Sequence, residues 1–203
     1  AGPANRQARV AADRIEGRDS RYAGAVGTGI LRIFGLTAAG TGATEGRLRK
    51  AGIPFRSVHL HPPSHASYYP GAALIALKVL FDPATGRVLG AQAVGRDGVD
   101  KRIDVFATAI RAGLTVDDLA DLELAYAPPF GSAKDPVNLA GWAAGNLLRG
   151  DVEAATWDEL PGLDPERTLL LDVRTPEERA AGAIPGSAFI PLHELRDRLG
   201  KHT

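Results

Sequence analysis

Tyr126 stands two residues before a Pro128–Pro129 pair, in the stretch LELAYAPPFGSAKDPVNLAG from Leu122 to Gly141. A phenol titrates near pH ~10, so at neutral pH it keeps its proton and can donate a hydrogen bond. Two consecutive prolines give up two backbone donors and stiffen the chain. That suits a segment that must hold one aromatic ring in place. Phe130 and Gly131 follow, then Lys134 and Asp135, and Pro136 opens a new helix. Asp135 is a good N-cap, and Pro136 sits where a first-turn proline belongs. The stretch reads as a rigid elbow between two helices, with the first helix running to Tyr126 and the elbow presenting Tyr126 and Phe130. A plain helix–loop–helix connection around a buried tyrosine would use the same residues.

His59, His61 and His65 form the other cluster with chemical potential, in HLHPPSHASYYPGA. The i, i+2 pair lies on one face of a strand. No acidic ligand or cysteine lies close in sequence, and Pro62–Pro63 separates the candidate ligands, so no metal site is expected. The 203-residue chain contains no cysteine, which removes disulfides, thiolate metal sites and a cysteine nucleophile from its own chemistry. It also contains no methionine, even at position 1, and opens AGPANRQ, so it reads as a fragment or a processed piece. The 24 acidic and 24 basic residues balance to a net charge of +0, which gives no electrostatic case for nucleic acid or an anionic membrane. No apolar run is long enough for a membrane span, and no charged-then-apolar leader opens the chain.

Periodicity supplies the elements that must position these residues. Ala1 to Glu16 reads as a helix, with Val10, Ala11 and Ile15 on an apolar stripe. A strand is expected from Ile30 to Leu36, then a short helix with Thr41 as its cap and Gly52 as its stop. Phe55 to Leu60 alternates as a strand should. Leu74 to Phe81 and Val88 to Val94, joined by the turn DPATGR, make an antiparallel hairpin. Val99 to Ala112 is an amphipathic helix, apolar at Val99, Ile103, Phe106, Ala107 and Ile110. Thr115 with Asp118 approaches a capping box for the next helix. Strands gathered first and helices after argue α+β, an antiparallel sheet with packed helices. After Gly150 the pattern changes. Thr168 to Val173 is a continuous apolar run of strand length, Thr175 and Pro176 open a helix, GAIPGSAFIPL supplies a second strand and HELRDRL starts another helix. That β-α-β-α order suggests an incomplete α/β unit.

The string YAPPFGSAKDPVNLAG resembles the C-terminal signature of the FAD-dependent pyridine nucleotide-disulfide oxidoreductases. Within them it is most similar to the coenzyme A-disulfide reductase branch, including forms with a fused rhodanese domain. The DVR and GAIPGSAFIP strings are similar to the start of a rhodanese domain, where Asp172 and Arg174 would be structural. The resemblance implies the end of an FAD-domain helix over residues 1–21, a dimerisation domain over 22–150 and the N-terminal part of a rhodanese-like domain over 151–203. The rhodanese cysteine loop would lie beyond Thr203.

The same resemblance implies site residues. YYPG matches the family's second tyrosine signature, so Tyr68 and Tyr126 would be its two functional tyrosines, with Tyr69 the alternative to Tyr68. In the family they reach from one subunit of a homodimer into the active site of the other. Ala4 and Asn5, at a helix N-terminus aimed at the flavin, and Pro129 and Phe130 of the elbow would contact the cofactor. FAD and NAD(P)H would be held mainly outside this chain. A cytoplasmic homodimer acting on coenzyme A disulfide, persulfide or polysulfide is expected, with no nucleic acid or membrane partner and no catalysis by this stretch alone. The other readings are the NADH oxidase branch of the same superfamily and a non-catalytic self-association module.

Overall fold

The run Ile75, Leu77, Val79 and Phe81 lies in the hydrophobic core, every residue 2% exposed or less. Alternation puts these four on one face of a strand, and full burial of each such side chain is worth about 1.5–3 kcal/mol. The computed structural model describes residues 2–198. They divide into two compact units, the first ending at Glu153 and the second beginning at Ala154.

The first unit carries helix α1 (Gly2–Ile15), strands β1 (Gly29–Ile33) and β2 (Leu36–Gly42), and helix α2 (Glu45–Ala51). Strands β3 (Arg56–Leu60), β4 (Ile75–Phe81) and β5 (Val88–Gly95) follow, then helices α3 (Val99–Ala112), α4 (Val116–Asp121) and α5 (Pro136–Arg149). The five strands form one antiparallel sheet in the order β1-β2-β5-β4-β3. A register shift falls at Leu80/Phe81, and both side chains are fully buried. Asp82 closes the β4–β5 hairpin. Its Oδ1 accepts from the Ala84 and Thr85 amides at 2.8 and 2.9 Å, and these bonds hold its carboxyl below the usual range.

The amphipathic helix from Val99 to Ala112 runs as its spacing predicts. Val99, Ile103, Phe106 and Ala109 join the core against the sheet, together with Val116, Leu119, Val137, Ala140 and Ala144. The expected caps at Thr115 and Asp135 form, with Thr115 and Asp118 completing a capping box.

Three local expectations are corrected. The strand expected from Ile30 to Leu36 is a hairpin, β1 and β2 folded at Phe34 and Gly35, whose φ values are 47° and 84°. Two residues in the left-handed region match the twist that two-residue hairpins need, and the apolar run through Phe34 masked the turn. Thr41 consequently lies in β2, and Thr44 caps α2 by accepting from the Arg47 amide at 3.4 Å. The helix before the elbow ends at Asp121 rather than at Tyr126. Asn138 Nδ2 donates to the carbonyls of Leu119, Ala120 and Leu122 at 3.1, 3.3 and 2.9 Å, so a side chain of α5 takes up the last carbonyls of α4. Helix α1 forms where the sequence places it, with Val10 of its stripe half-buried and no residue fully buried.

In the second unit, strands β6 (Leu171–Asp172) and β7 (Ala188–Phe189) pair in parallel, with helices α6 (Pro176–Ala180) and α7 (Leu192–Arg198) after them. The strand expected over Thr168 to Val173 is only two residues long, because β7 offers it only two partners. Thr175 and Glu178 form a capping box at α6. Asp172 accepts from Arg174 Nε and Nη2 at 2.9 and 2.8 Å and from Arg179 Nη1 at 3.3 Å, and the Arg174 bonds hold its carboxyl far below the ordinary carboxylate range.

Candidate functional site

Two loops of the first unit meet. One joins β3 to β4 and carries Tyr68. The other joins α4 to α5 and carries Tyr126. Their hydroxyls lie 3.3 Å apart although the residues are 58 positions apart in the chain. The site was built from three supports: the stiff elbow, backbone bonds between the loops and two consecutive basic residues of α3.

The elbow folds on itself after Pro128 and Pro129. The amides of Phe130 and Gly131 both donate to the Ala127 carbonyl, at 2.9 and 3.1 Å. Its far end is fixed by Asp135, 3% exposed, which accepts from the Val137 amide at 3.0 Å and caps α5. The tyrosine loop is pinned at Ser64, whose amide donates to the Ala73 carbonyl at 2.8 Å. The two loops join directly where the Ala66 amide donates to the Gly131 carbonyl at 2.8 Å.

From α3, Lys101 Nζ donates to the carbonyls of Ala125 and Phe130 at 3.3 and 3.5 Å. The neighbouring Arg102 is buried, 1% exposed. Its Nη2 donates to the Ser64 carbonyl at 2.7 Å and to Asp135 Oδ2 at 2.9 Å. Its Nε reaches Asp135 Oδ1 at 3.4 Å, and its Nη1 reaches the Gly98 carbonyl at 3.2 Å. Among the described residues no buried side-chain nitrogen or oxygen lacks a partner. A buried guanidinium is tolerated only with such satisfaction.

Tyr68 is 76% exposed and Tyr126 48%, so the phenol pair faces outward. At 3.3 Å the O···O contact is longer than the usual range for hydroxyls of ~2.5–3.0 Å. Two phenols that spend one proton on each other leave a second proton for an outside acceptor. The bond to Tyr126 raises the pKa of Tyr68 above its ordinary value, so Tyr68 stays protonated at neutral pH. The arrangement can therefore offer a hydrogen bond to an anion while Tyr68 keeps its own proton.

Phe130 is 72% exposed and Pro129 is exposed beside it, so the elbow offers an apolar rim next to the phenols. Ala4 and Asn5 lie in the first turns of α1, both exposed. Tyr69 takes no part in the phenol contact. Its ring meets His65 edge-on, with centroids 5.9 Å apart. His65 is buried, its Nδ1 3.2 Å from the Ala66 carbonyl. His59 lies on β3 opposite Lys78 of β4, and burial, then the Lys78 charge, lowers its pKa. Among the described residues no three side chains of metal-ligand type come together.

Sequence reasoning passed over Lys101, Arg102 and Asn138. Arg102 carried a signal. It sits between Val99 and Phe106 on the apolar stripe of α3, where a charged side chain must find a buried partner.

Comparison with known proteins adds the following. The sequence profile of the pyridine nucleotide-disulphide oxidoreductase dimerisation domain matches residues 31–136. A coenzyme A disulfide reductase of Staphylococcus aureus is 39% identical over 142 residues, 70% of this chain and 32% of that protein. The chain thus spans about a third of the length of the curated relatives it matches. The crystal structure of reduced Bacillus anthracis CoADR-RHD is similar over 99% of this chain and 36% of its own, with a TM-score of 0.94 and 51% identity. An NAD-dependent persulfide reductase from A. fulgidus is similar over 98% of this chain and 36% of its own, with a TM-score of 0.88 and 41% identity.

Proposed function

This chain belongs to the pyridine nucleotide-disulphide oxidoreductases, and we propose that it is the C-terminal dimerisation portion of a flavin-dependent NAD(P)H disulfide reductase. Its acceptor is a low-molecular-weight disulfide or persulfide of the coenzyme A type. The observation that carries this reading is the outward-facing phenol pair, Tyr68 and Tyr126, 3.3 Å apart on a buttressed pair of loops. The named activities of the coenzyme A disulfide reductase and persulfide reductase relatives support the choice of acceptor.

Reduction of a disulfide by NAD(P)H takes up one proton and ends in two thiols. The chain has no cysteine, so the thiol that meets the substrate comes from elsewhere in the longer protein. Tyr126 and Tyr68 orient the departing sulfur and hand it a hydrogen bond or a proton. In a homodimer the pair of one subunit serves the site of its partner. Phe130 and Pro129 line the approach and keep water from the reacting sulfur.

FAD, when bound, supplies the two-electron relay between nicotinamide and disulfide. The residues here suit it. Helix α1 opens with no acidic side chain in its first turn, and its start around Ala4 and Asn5 is exposed, so the positive end of the helix dipole would suit an electron-rich edge. The second unit is the N-terminal part of a rhodanese-like domain, a reading supported by the match to CoADR-RHD over 99% of this chain. By itself this stretch dimerises without turning over.

The test is NAD(P)H consumption by the longer protein with coenzyme A disulfide, polysulfide or oxygen as acceptor. Tyr126→Phe should lower disulfide turnover on the order of 10²-fold, as loss of a general acid does. Unchanged turnover would remove the tyrosine from the reaction, and consumption only with oxygen would favour an NADH oxidase.

A further inference from the structure

The hydroxyls of Tyr68 and Tyr126 sit on separate loops, and neither loop is a regular element with a ladder of its own. One backbone bond, from the Ala66 amide to the Gly131 carbonyl, joins them directly, and two side chains from outside both loops add to it. Lys101 reaches the elbow at Ala125 and Phe130. Arg102 reaches both loops at once: the Ser64 carbonyl, four residues before Tyr68, and the Asp135 carboxylate at the far end of the elbow. Both residues project from α3, a 14-residue helix seated in the core.

We infer that Arg102 is the positioning residue of the tyrosine pair, its guanidinium holding the Tyr68 loop and the Tyr126 elbow to one rigid helix. The inference rests on the reading of the pair given above. The planar fork suits the task. Nε and Nη2 face the two oxygens of Asp135, while the second hydrogen of Nη2 points to the Ser64 carbonyl. A lysine ammonium cannot make that set, being a compact charge without the fork. Space for the group is also built in. Gly98 caps α3 at a φ of 71°, and a Cβ there would lie 2.5 Å from Arg102 Nη1. The same guanidinium donates to the Gly98 carbonyl at 3.2 Å, so the loop that enters α3 is shaped around it. Breaking the Ser64 bond frees the tyrosine loop at its base, and breaking the Asp135 bond frees the elbow.

The test reads the distance between the phenols directly. The chain has four tyrosines, so Tyr22→Phe with Tyr69→Phe leaves only Tyr68 and Tyr126. Brief photo-oxidation couples neighbouring phenols into dityrosine, detected by its blue fluorescence and by a chain that keeps monomer mass under denaturing conditions. The paired background should give strong intramolecular coupling. Arg102→Met with Asp135→Asn replaces the buried ion pair by a neutral set that keeps an N-cap, and Arg102→Lys keeps the charge but not the fork. Both should lose dityrosine severalfold while retaining the far-UV spectrum and a cooperative melt. Undiminished coupling in either folded variant overturns the inference, whatever happens to the melting temperature. Weak coupling in the unaltered background overturns it too, because the pair it positions would not exist. Turnover of Tyr126→Phe in the longer protein reports separately on the reaction, so a failed function and a failed positioning role give different results.

Discussion

Gly141→Ala should unseat α4 from α5. A Cβ at Gly141 would lie 2.5 Å from the Ala120 amide nitrogen, 2.7 Å from the Val116 carbonyl oxygen and 2.9 Å from the Ala120 Cα. All three obstacles are backbone atoms of one neighbouring helix, so no side chain can rotate away. The helices must part by the better part of an ångström. Overpacking of this kind costs about 1–3 kcal/mol, and with a rigid backbone opposite the cost falls at the upper end. Alanine is about 1 kcal/mol better than glycine in a helix, which offsets part of it. The net expectation is destabilisation by about 2 kcal/mol, near 1 M in the urea midpoint for an m-value of ordinary size. Gly46→Ala is the control. It makes the same change in α2, where an added Cβ meets nothing within 4 Å, and should stabilise by about 0.5–1 kcal/mol. The assay is urea unfolding followed by Trp142, in a Trp157→Phe background that leaves one indole, in the first unit. A Gly141→Ala midpoint equal to or above the parent's, with m unchanged, refutes the packing argument.

Asn138→Ala leaves the carbonyls of Leu119, Ala120 and Leu122 without their shared donor. It should cost about 1–3 kcal/mol in the same urea assay, and an unchanged midpoint would show that water replaces the amide at no cost. Asp172 gives the second unit a pH dependence. Its folded pKa is depressed by Arg174, so below pH ~4 the unfolded chain binds a proton that the folded chain does not. The stabilisation is complete above that pH and is lost as pH falls toward the depressed value. The stability of the second unit in a Trp142→Phe chain, reported by Trp157, should fall from pH ~4 downward, and Asp172→Asn should flatten that limb. An identical acid limb in the variant would remove Asp172 as its source.

The elements that formed as read are those with a complete local code. Val99 to Ala112 carries its apolar stripe, its stop at Gly113 and the following Thr115–Asp118 box within about one helix length. Asp135 and Pro136 mark the start of α5 whatever lies around them, and Ile75 to Phe81 alternates strongly enough to fix which face is buried. Where the code was incomplete the reading failed. The Ile30–Leu36 run gave no polar turn residue, and only Gly35 hinted that the chain doubles back. Leu122 to Tyr126 is apolar enough to continue α4, and the side chain that takes up its last carbonyls, Asn138, lies in another helix.

The candidate site divides the same way. A phenol on a proline-stiffened elbow was legible at Tyr126, and a resemblance directed attention to Tyr68. The 3.3 Å contact between them was not legible, nor were the choice of Tyr68 over Tyr69 for it, the burial of Arg102 between Ser64 and Asp135, and the close approach permitted by Gly141. Secondary structure follows from interactions among residues a few positions apart, which a sequence displays directly. The separation of two hydroxyls 58 residues apart depends on every helix and turn between them closing to within an ångström, and on a buried charge finding its counter-charge. Those conditions are met only once the whole unit has packed.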